Sequence, residues 1–396
     1  MRVLIVTKIF PNRLEPHSSP FNRQQFAALA RITELEILAT VPWFPGAKRL
    51  ARWSRAGRLR DLPAHDVIGG LSVQHPRVAY VPRIGNRISG PLYAASLAAR
   101  AIRYRGRIDV VLGSWAYPDG YAAVVLGELL DVPAVVKLHG SDVHVLSQIP
   151  AARRGLCWTL PRAARVVAVS RPLAERAVSL GVARDRVDVV PNGVDTDIFY
   201  PSDRTAARCE LELASNARIA LYVGRIEREK GVFDLIRAFG WSGSELRESQ
   251  LVMIGDGSAQ AECRDLIERL DLPVVMLGER PHAEIARWLA ASDVLTLPSW
   301  HEGTPNVVLE ALAAGRRVVA TNVGGIPDLI DSPELGLMVP PKEPAALAVA
   351  LERALATPYD PIALRAAANV VDWTTSAALL KESLQRALEE RARRAA

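Results

Sequence analysis

Two glutamates, Glu302 and Glu310, stand eight positions apart in the stretch PSWHEGTPNVVLEALAAG, residues 298–315. A helix that starts near Pro305 puts Glu302 just before it and Glu310 inside it, separated by at most roughly 12 Å along the axis. The intervening segment, Gly303, Thr304, Pro305, Asn306 and Val307, then offers main-chain amides at a helix start, where anions bind. Upstream, VGRIEREKG places Arg225 and Lys230 five apart, bracketed by Gly224 and Gly231. Two cations beside glycines can neutralise a diphosphate, the arginine as a fork of donors and the lysine as a point charge. A carboxylate accepts two hydrogen bonds, so each glutamate can hold a pair of vicinal hydroxyls. One kind of molecule meets all these demands, a nucleotide sugar held by Glu310 at the ribose, by Arg225 and Lys230 at the phosphates and by Glu302 at the hexose. Paired carboxylates also perform glycoside hydrolysis when they flank the scissile bond about 5–9.5 Å apart, although nearby cations oppose the acid role. A third reading is structural, with one carboxylate starting a helix and the other solvated on its face.

In the first half, KLHGSDVH sets His139, Gly140, Ser141 and Asp142 at the end of an apolar run. A histidine followed by glycine at a strand end suits a ligand-facing position. His139 and His144 lack a third partner at metal-ligand spacing, so no metal site is expected. Asp195 and Asp197 fall in a linker and are read as structural. VGRIEREKG lacks the spacing of a Walker loop, IGDGSA lacks the third glycine of a dinucleotide fingerprint, and the first strand is followed by no such motif. Nicotinamide chemistry is therefore not expected.

The elements that must position these residues are visible as short β-branched runs, each followed by a turn and a helical pattern. They lie at 3–10, 35–40, 109–114, 134–140, 165–170 and 187–193, and again at 219–225, 251–257, 274–280, 293–299 and 316–325. Nearly continuous apolar strands mark parallel sheets covered on both faces, which predicts an α/β chain of two doubly wound units. In such sheets ligands bind beyond the carboxyl ends of the strands, where the residues above are found. Pro191, Asn192, Gly193 and Pro201 punctuate the pattern and place a boundary near residue 196. Leu380, Leu384 and Leu388 form a stripe on a long final helix that another surface must cover.

A chain of 396 residues exceeds one core, in agreement with two domains. Its three cysteines, Cys157, Cys209 and Cys263, have neither disulfide-framework nor zinc spacing, which fits a reducing compartment. The start MRVLIVTKIF is too short an apolar run for a signal peptide, and no stretch approaches a membrane span, so a cytoplasmic protein is expected. The net charge of +6 divides into +12 over residues 1–200 and −6 over the remainder. Much of the excess sits at 46–60 and 99–107, where arginine alternates with Trp, Tyr and Leu. Such segments suit an anionic membrane surface or an anionic acceptor, or simply a solvated arginine face.

Taken together, VGRIEREKG, VMIGDGS, LPSWHEGTPNVVLEALAAG, VPNGVDTDIF and KLHGSD resemble the family-4 glycosyltransferases, in the expected order and over nearly the whole chain. FPN...PFNRQQFAAL and VPWFPG resemble the branch that builds cell-surface polysaccharides. The resemblance implies the GT-B fold, two doubly wound Rossmann-like domains facing a cleft. Residues 1–195 would take the acceptor and 196–375 the nucleotide sugar, with 376–396 crossing back to the first domain. It implies retaining, metal-independent hexosyl transfer from a UDP- or GDP-linked donor to a glycan or lipid-linked acceptor, with no cofactor. Arg225 and Lys230 would contact the diphosphate, Glu302 the donor sugar and Glu310 the ribose, with His139 near the reacting carbon. Gly255 and Gly278 would line the nucleotide pocket, with Arg280 beside the base. Peripheral membrane contact through 46–60, at the inner face of the cell membrane, is a further expectation, and nucleic acid is not an expected partner. The chain departs from the family at the loop after the first strand. Many members have Gly-Gly or Gly-x-Phe there, whereas this chain reads Ser18, Ser19, Pro20, Phe21, and Pro20 has no amide proton. Serine hydroxyls could substitute in that loop, and Asp142 is a further acceptor-side candidate. Rival readings are a GT-B hydrolase, phosphorylase or epimerase, and a non-catalytic glycan-binding relative.

Overall fold

The β-branched runs form strands in the structure, a computed structural model that describes residues 1–16, 18–47, 54–81, 85–241 and 245–395. Two units result, one of Met1–Gly193 with Trp373–Ala396 and the other of Val194–Asp372.

In the first unit the strands are β1 (Arg2–Thr7), β2 (Glu34–Ala39), β3 (Val41–Trp43), β4 (His65–Ile68), β5 (Leu71–Gln74), β6 (Arg77–Ala79), β7 (Val110–Ser114), β8 (Ala134–Leu138), β9 (Arg165–Ala168) and β10 (Val187–Val189). Among the described residues they form a sheet of order β10-β9-β8-β7-β1-β2-β5-β4 and a separate β3-β6 pair. All neighbours run parallel except β4 and β5. The chain leaves β1 for β2 on one side and later returns to β7 on the other, so the sheet reverses direction between β1 and β7. At such a switch point the connections diverge and open a crevice at the carboxyl ends, here Thr7 and Ser114.

The second unit contains β11 (Ile219–Val223), β12 (Gln250–Ile254), β13 (Val274–Gly278), β14 (Val294–Leu297), β15 (Arg317–Thr321) and β16 (Gly336–Val339). Their order is β13-β12-β11-β14-β15-β16, wholly parallel. Its switch point lies between β11 and β14, whose interiors are fully buried.

The last helix, Trp373–Ala395, packs on the first unit. Its buried stripe is Ala377, Leu380, Leu384 and Ala387, while Leu388 is half-buried. A turn of 3.6 residues explains the exchange, because a strict four-residue spacing drifts around the helix until Ala387 faces inward in place of Leu388. Polar contacts fix the seat: Gln25 Nε2 donates to Ser376 Oγ at 2.9 Å, Ser376 Oγ to the Pro191 carbonyl at 2.6 Å, and Ser383 Oγ to Asp188 at 2.6 Å. No helix among the described residues is long and apolar enough to cross a membrane. Of the basic segment 46–60, residues 48–53 lie outside the described residues. Arg55 and Arg58 turn toward Glu15, at 2.9 and 3.9 Å, and Arg60 pairs with Asp61.

Candidate active site

In the second unit the residues singled out from sequence gather where β11, β12, β13 and β14 end. Lys230 Nζ donates to Glu302 Oε1 at 2.7 Å, joining the loop after β11 to the loop after β14 across the switch point. Ser299 Oγ gives the same oxygen a second bond at 2.6 Å, and Thr321 Oγ1 anchors the Ser299 carbonyl. The loops are set by contacts that only glycine permits. Gly231 has a φ of 69°, and a Cβ there would lie 1.9 Å from the Pro298 carbonyl oxygen. Gly255, at φ 138°, would meet the Gly224 carbonyl oxygen at the same distance.

Arg225 is largely exposed and bonds Glu227 at 2.8 Å, with its own carbonyl held by the buried Tyr222 hydroxyl at 2.7 Å. The helix Asn306–Ala313 follows Pro305, which takes the N-cap position one residue before the first helical turn. It has no side-chain cap and no acidic residue in its first turn, so its start presents partial positive charge beside Gly303, Thr304 and Val307. Gly325 N donates to the Gly303 carbonyl at 2.7 Å and holds that loop from the β15 side.

Glu310 projects from this helix with its side chain only 12% exposed. Burial pushes its carboxyl up to about 7. His282 Nε2 lies 3.9 Å from it and packs edge-on to Phe199. Gly255 N donates to the Gly278 carbonyl at 2.9 Å; Gly278 has a φ of 74° and open space around it. Arg280 is tied to Glu284 at 2.9 Å.

In the first unit His139 follows β8, its ring packed between Phe21 and Trp115 with centroids at 5.1 and 6.0 Å. A relay of hydrogen bonds fixes its tautomer. Asn22 Nδ2 donates to the Ile9 carbonyl at 2.7 Å, which turns Asn22 Oδ1 to receive the Ser114 hydroxyl at 3.2 Å. The Ser114 oxygen is then left to accept from His139 Nε2 at 3.0 Å. Nδ1 therefore carries the lone pair, buried and without a partner among the described residues. Burial first, and the Lys137 charge second, hold the ring well below the usual histidine range, so it is neutral.

Asp142 spends both oxygens on main-chain amides of Ala116, His139 and Gly140, at 2.8–3.0 Å, which shapes the loop that carries His139. Ser19 has a φ of 51°, a left-handed conformation that favours glycine, so the backbone adopts a glycine-like turn although the residue is serine. Ser18 N donates to the Glu15 carbonyl at 3.2 Å.

Sequence reasoning did not identify Ser299, His282, Asn22, Ser114 or Trp115. Ser114 and Ser299 both stand at carboxyl ends of recognised strands, which is the one signal that could have found them. Asn22 and His282 are ordinary helix residues whose partners come from remote parts of the chain.

A double-wound pair of parallel units with this polar cluster at a switch point belongs to a class of enzyme that comparison with known proteins identifies. The family model for "Glycosyl transferases group 1" matches residues 217–357, and that for "Glycosyltransferase Family 4" matches residues 53–198. TuaC of Bacillus subtilis (strain 168), a glycosyltransferase named for teichuronic acid biosynthesis, is 30% identical over 360 residues, which is 89% of each chain. This chain belongs to the family-4 glycosyltransferases of the GT-B fold. Sucrose-phosphate synthase from Thermosynechococcus elongatus has a TM-score of 0.70 at 23% identity, over 98% of this chain and 96% of that one. Anabaena HepE, in complex with UDP and glucose, has a TM-score of 0.69 at 19% identity, over 97% and 99%. Both have the same fold.

Proposed function

We propose that this glycosyltransferase moves a hexosyl unit from a UDP- or GDP-linked sugar to a glycan or lipid-linked acceptor, with retention of anomeric configuration and without a metal. The observation that carries this reading is the Lys230–Glu302 bond across the switch point, beside an uncapped helix start. The second unit is assigned the donor, with Lys230, Arg225 and the helix amides facing the diphosphate. Their positive charge stabilises the departing nucleotide diphosphate as charge develops on it. Glu302, Glu310 and the glycines at 255 and 278 hold the sugar and nucleoside, with Arg280 beside the base. The first unit is assigned the acceptor, beside the loop that carries neutral His139.

The HepE complex with UDP and glucose supports a uridine nucleotide, and the name of TuaC supports a cell-envelope polysaccharide as the product class. That product class supports a position at the inner face of the cell membrane. Glu302, already receiving Lys230 and Ser299, is better suited to positioning hydroxyls than to donating a proton, which disfavours the hydrolase reading. The test is product analysis by NMR with UDP- and GDP-sugars, in a chelator, with and without a glycan acceptor. An acceptor-dependent product of unchanged anomeric configuration is expected. An inverted linkage, an absolute need for metal, or free sugar formed regardless of acceptor contradicts the proposal.

A further inference from the structure

The first unit contains a cavity of about 500 Å³ whose lining includes Lys8, Thr40, Arg55, Tyr80, Tyr93 and Tyr117. Lys8 follows β1 at the switch point of the sheet. Its main-chain amide donates to Asp119 Oδ2 at 2.8 Å, and its ammonium lies 5.0 Å from the centre of the Trp115 ring. Among the described residues no carboxylate comes within 4.0 Å of that ammonium. Lys8 is half-buried without a contacting counter-ion, which is costly for a cation, and burial lowers its pKa despite the nearby Asp119 and Asp142 charges.

The surrounding charges do not cancel it. Arg55 reaches the Lys8 carbonyl at 3.2 Å and shares Glu15 with Arg58. Asp119 is pushed by burial up to about 7 and so carries only part of a negative charge at neutral pH. Among the described residues the charged side chains lining the cavity are the two cations Lys8 and Arg55. The cavity is also aromatic: Tyr80 is 41% exposed, and Tyr93 and Tyr117 are buried with their hydroxyls engaged by Thr40 and by the Gly90 amide. Flat rings beside a cation suit a polyhydroxylated ring that bears a negative group.

The geometry points to this cavity as the seat of an acceptor sugar that carries a carboxylate or a phosphate, with Lys8 as the residue that reads the anion. The assignment rests on the glycosyl-transfer reading, because it names the acceptor of that reaction. It adds a substrate class: the acceptor is acidic, either as a uronic acid or as a phosphorylated sugar.

The test is ligand-observed NMR on the full-length protein with methyl glucoside, glucuronic acid and glucose 1-phosphate, alongside UDP as an independent ligand. Binding of an anionic sugar about tenfold or more tighter than the neutral one is expected, as a charge-assisted contact allows. The difference between glucuronic acid and glucose 1-phosphate separates the two acid types. Lys8→Met removes the preference and leaves UDP binding unchanged, whereas Lys8→Arg retains it. Equal binding of neutral and anionic sugars overturns the inference, as does a preference that survives Lys8→Met. If Lys8→Met does not fold, the wild-type comparison and Lys8→Arg still decide. Anion preference without any transfer would fault the reaction and leave the cavity assignment standing; transfer with indifference to acceptor charge would do the reverse.

Discussion

Glu310 is the residue at which burial and function pull in opposite directions. In the unfolded chain its carboxyl titrates near 4.5, and burial moves it to about 7 in the folded one. Between those values the folded protein holds the extra proton, so this group's contribution to stability falls as pH rises and stays low above about 7. The expected gain for Glu310→Gln above that pH is on the order of 3 kcal/mol at most. Nucleotide binding carries the reverse slope, because the ionised carboxylate accepts two ribose hydroxyls and the protonated one does not. Relative to Glu310→Gln, the wild type therefore loses thermal stability between about pH 4.5 and about pH 7 and gains affinity for UDP between about pH 6 and about pH 8. Parallel slopes, or none, measured by calorimetry and thermal melts would remove the ribose assignment. Residue types at strand ends made Glu302, Glu310, Lys230 and His139 legible in the sequence. The Lys230–Glu302 contact itself, 72 positions apart, was not, nor was the Asn22–Ser114 relay, because short polar side chains reveal partners only after the backbone is folded.

At the scale of elements, the loops after β11, β12 and β14 are held by close main-chain approaches at glycines as well as by the side-chain bonds of Lys230, Ser299 and Thr321. Gly231 and Gly278 share a left-handed conformation, at φ 69° and 74°, and differ in surroundings: a Cβ at Gly231 would strike the Pro298 carbonyl, and one at Gly278 would enter open space. Gly278→Ala is expected to cost about 1–2 kcal/mol from backbone strain alone. Gly231→Ala adds a backbone collision that forces β11 and β14 apart, for a loss above about 3 kcal/mol. Equal losses in urea unfolding would mean that the loop relaxes and the switch point is not held as described. The β-branched runs announced β1, β2 and β7–β15, most of them buried on both faces, with β2, β10 and β13 part-exposed. The short β3 to β6 and β16 were illegible because, unlike the equally short β9, β10 and β14, they do not sit in a longer β-branched run that leads into a turn.

Each of the two units has its own switch point, with Lys8 and His139 near one and Lys230, Glu302 and Glu310 near the other. Whether the second unit holds a nucleoside diphosphate is the claim on which the rest depends. The direct measurement is isothermal titration of the whole protein with UDP, GDP, UMP and GMP in a chelator, repeated for Lys230→Ala. One diphosphate is predicted to bind about tenfold or more tighter than its monophosphate, and the variant to lose that difference while still binding the monophosphate. Equal affinity for diphosphate and monophosphate in the wild type, or a preference undisturbed in Lys230→Ala, would contradict it.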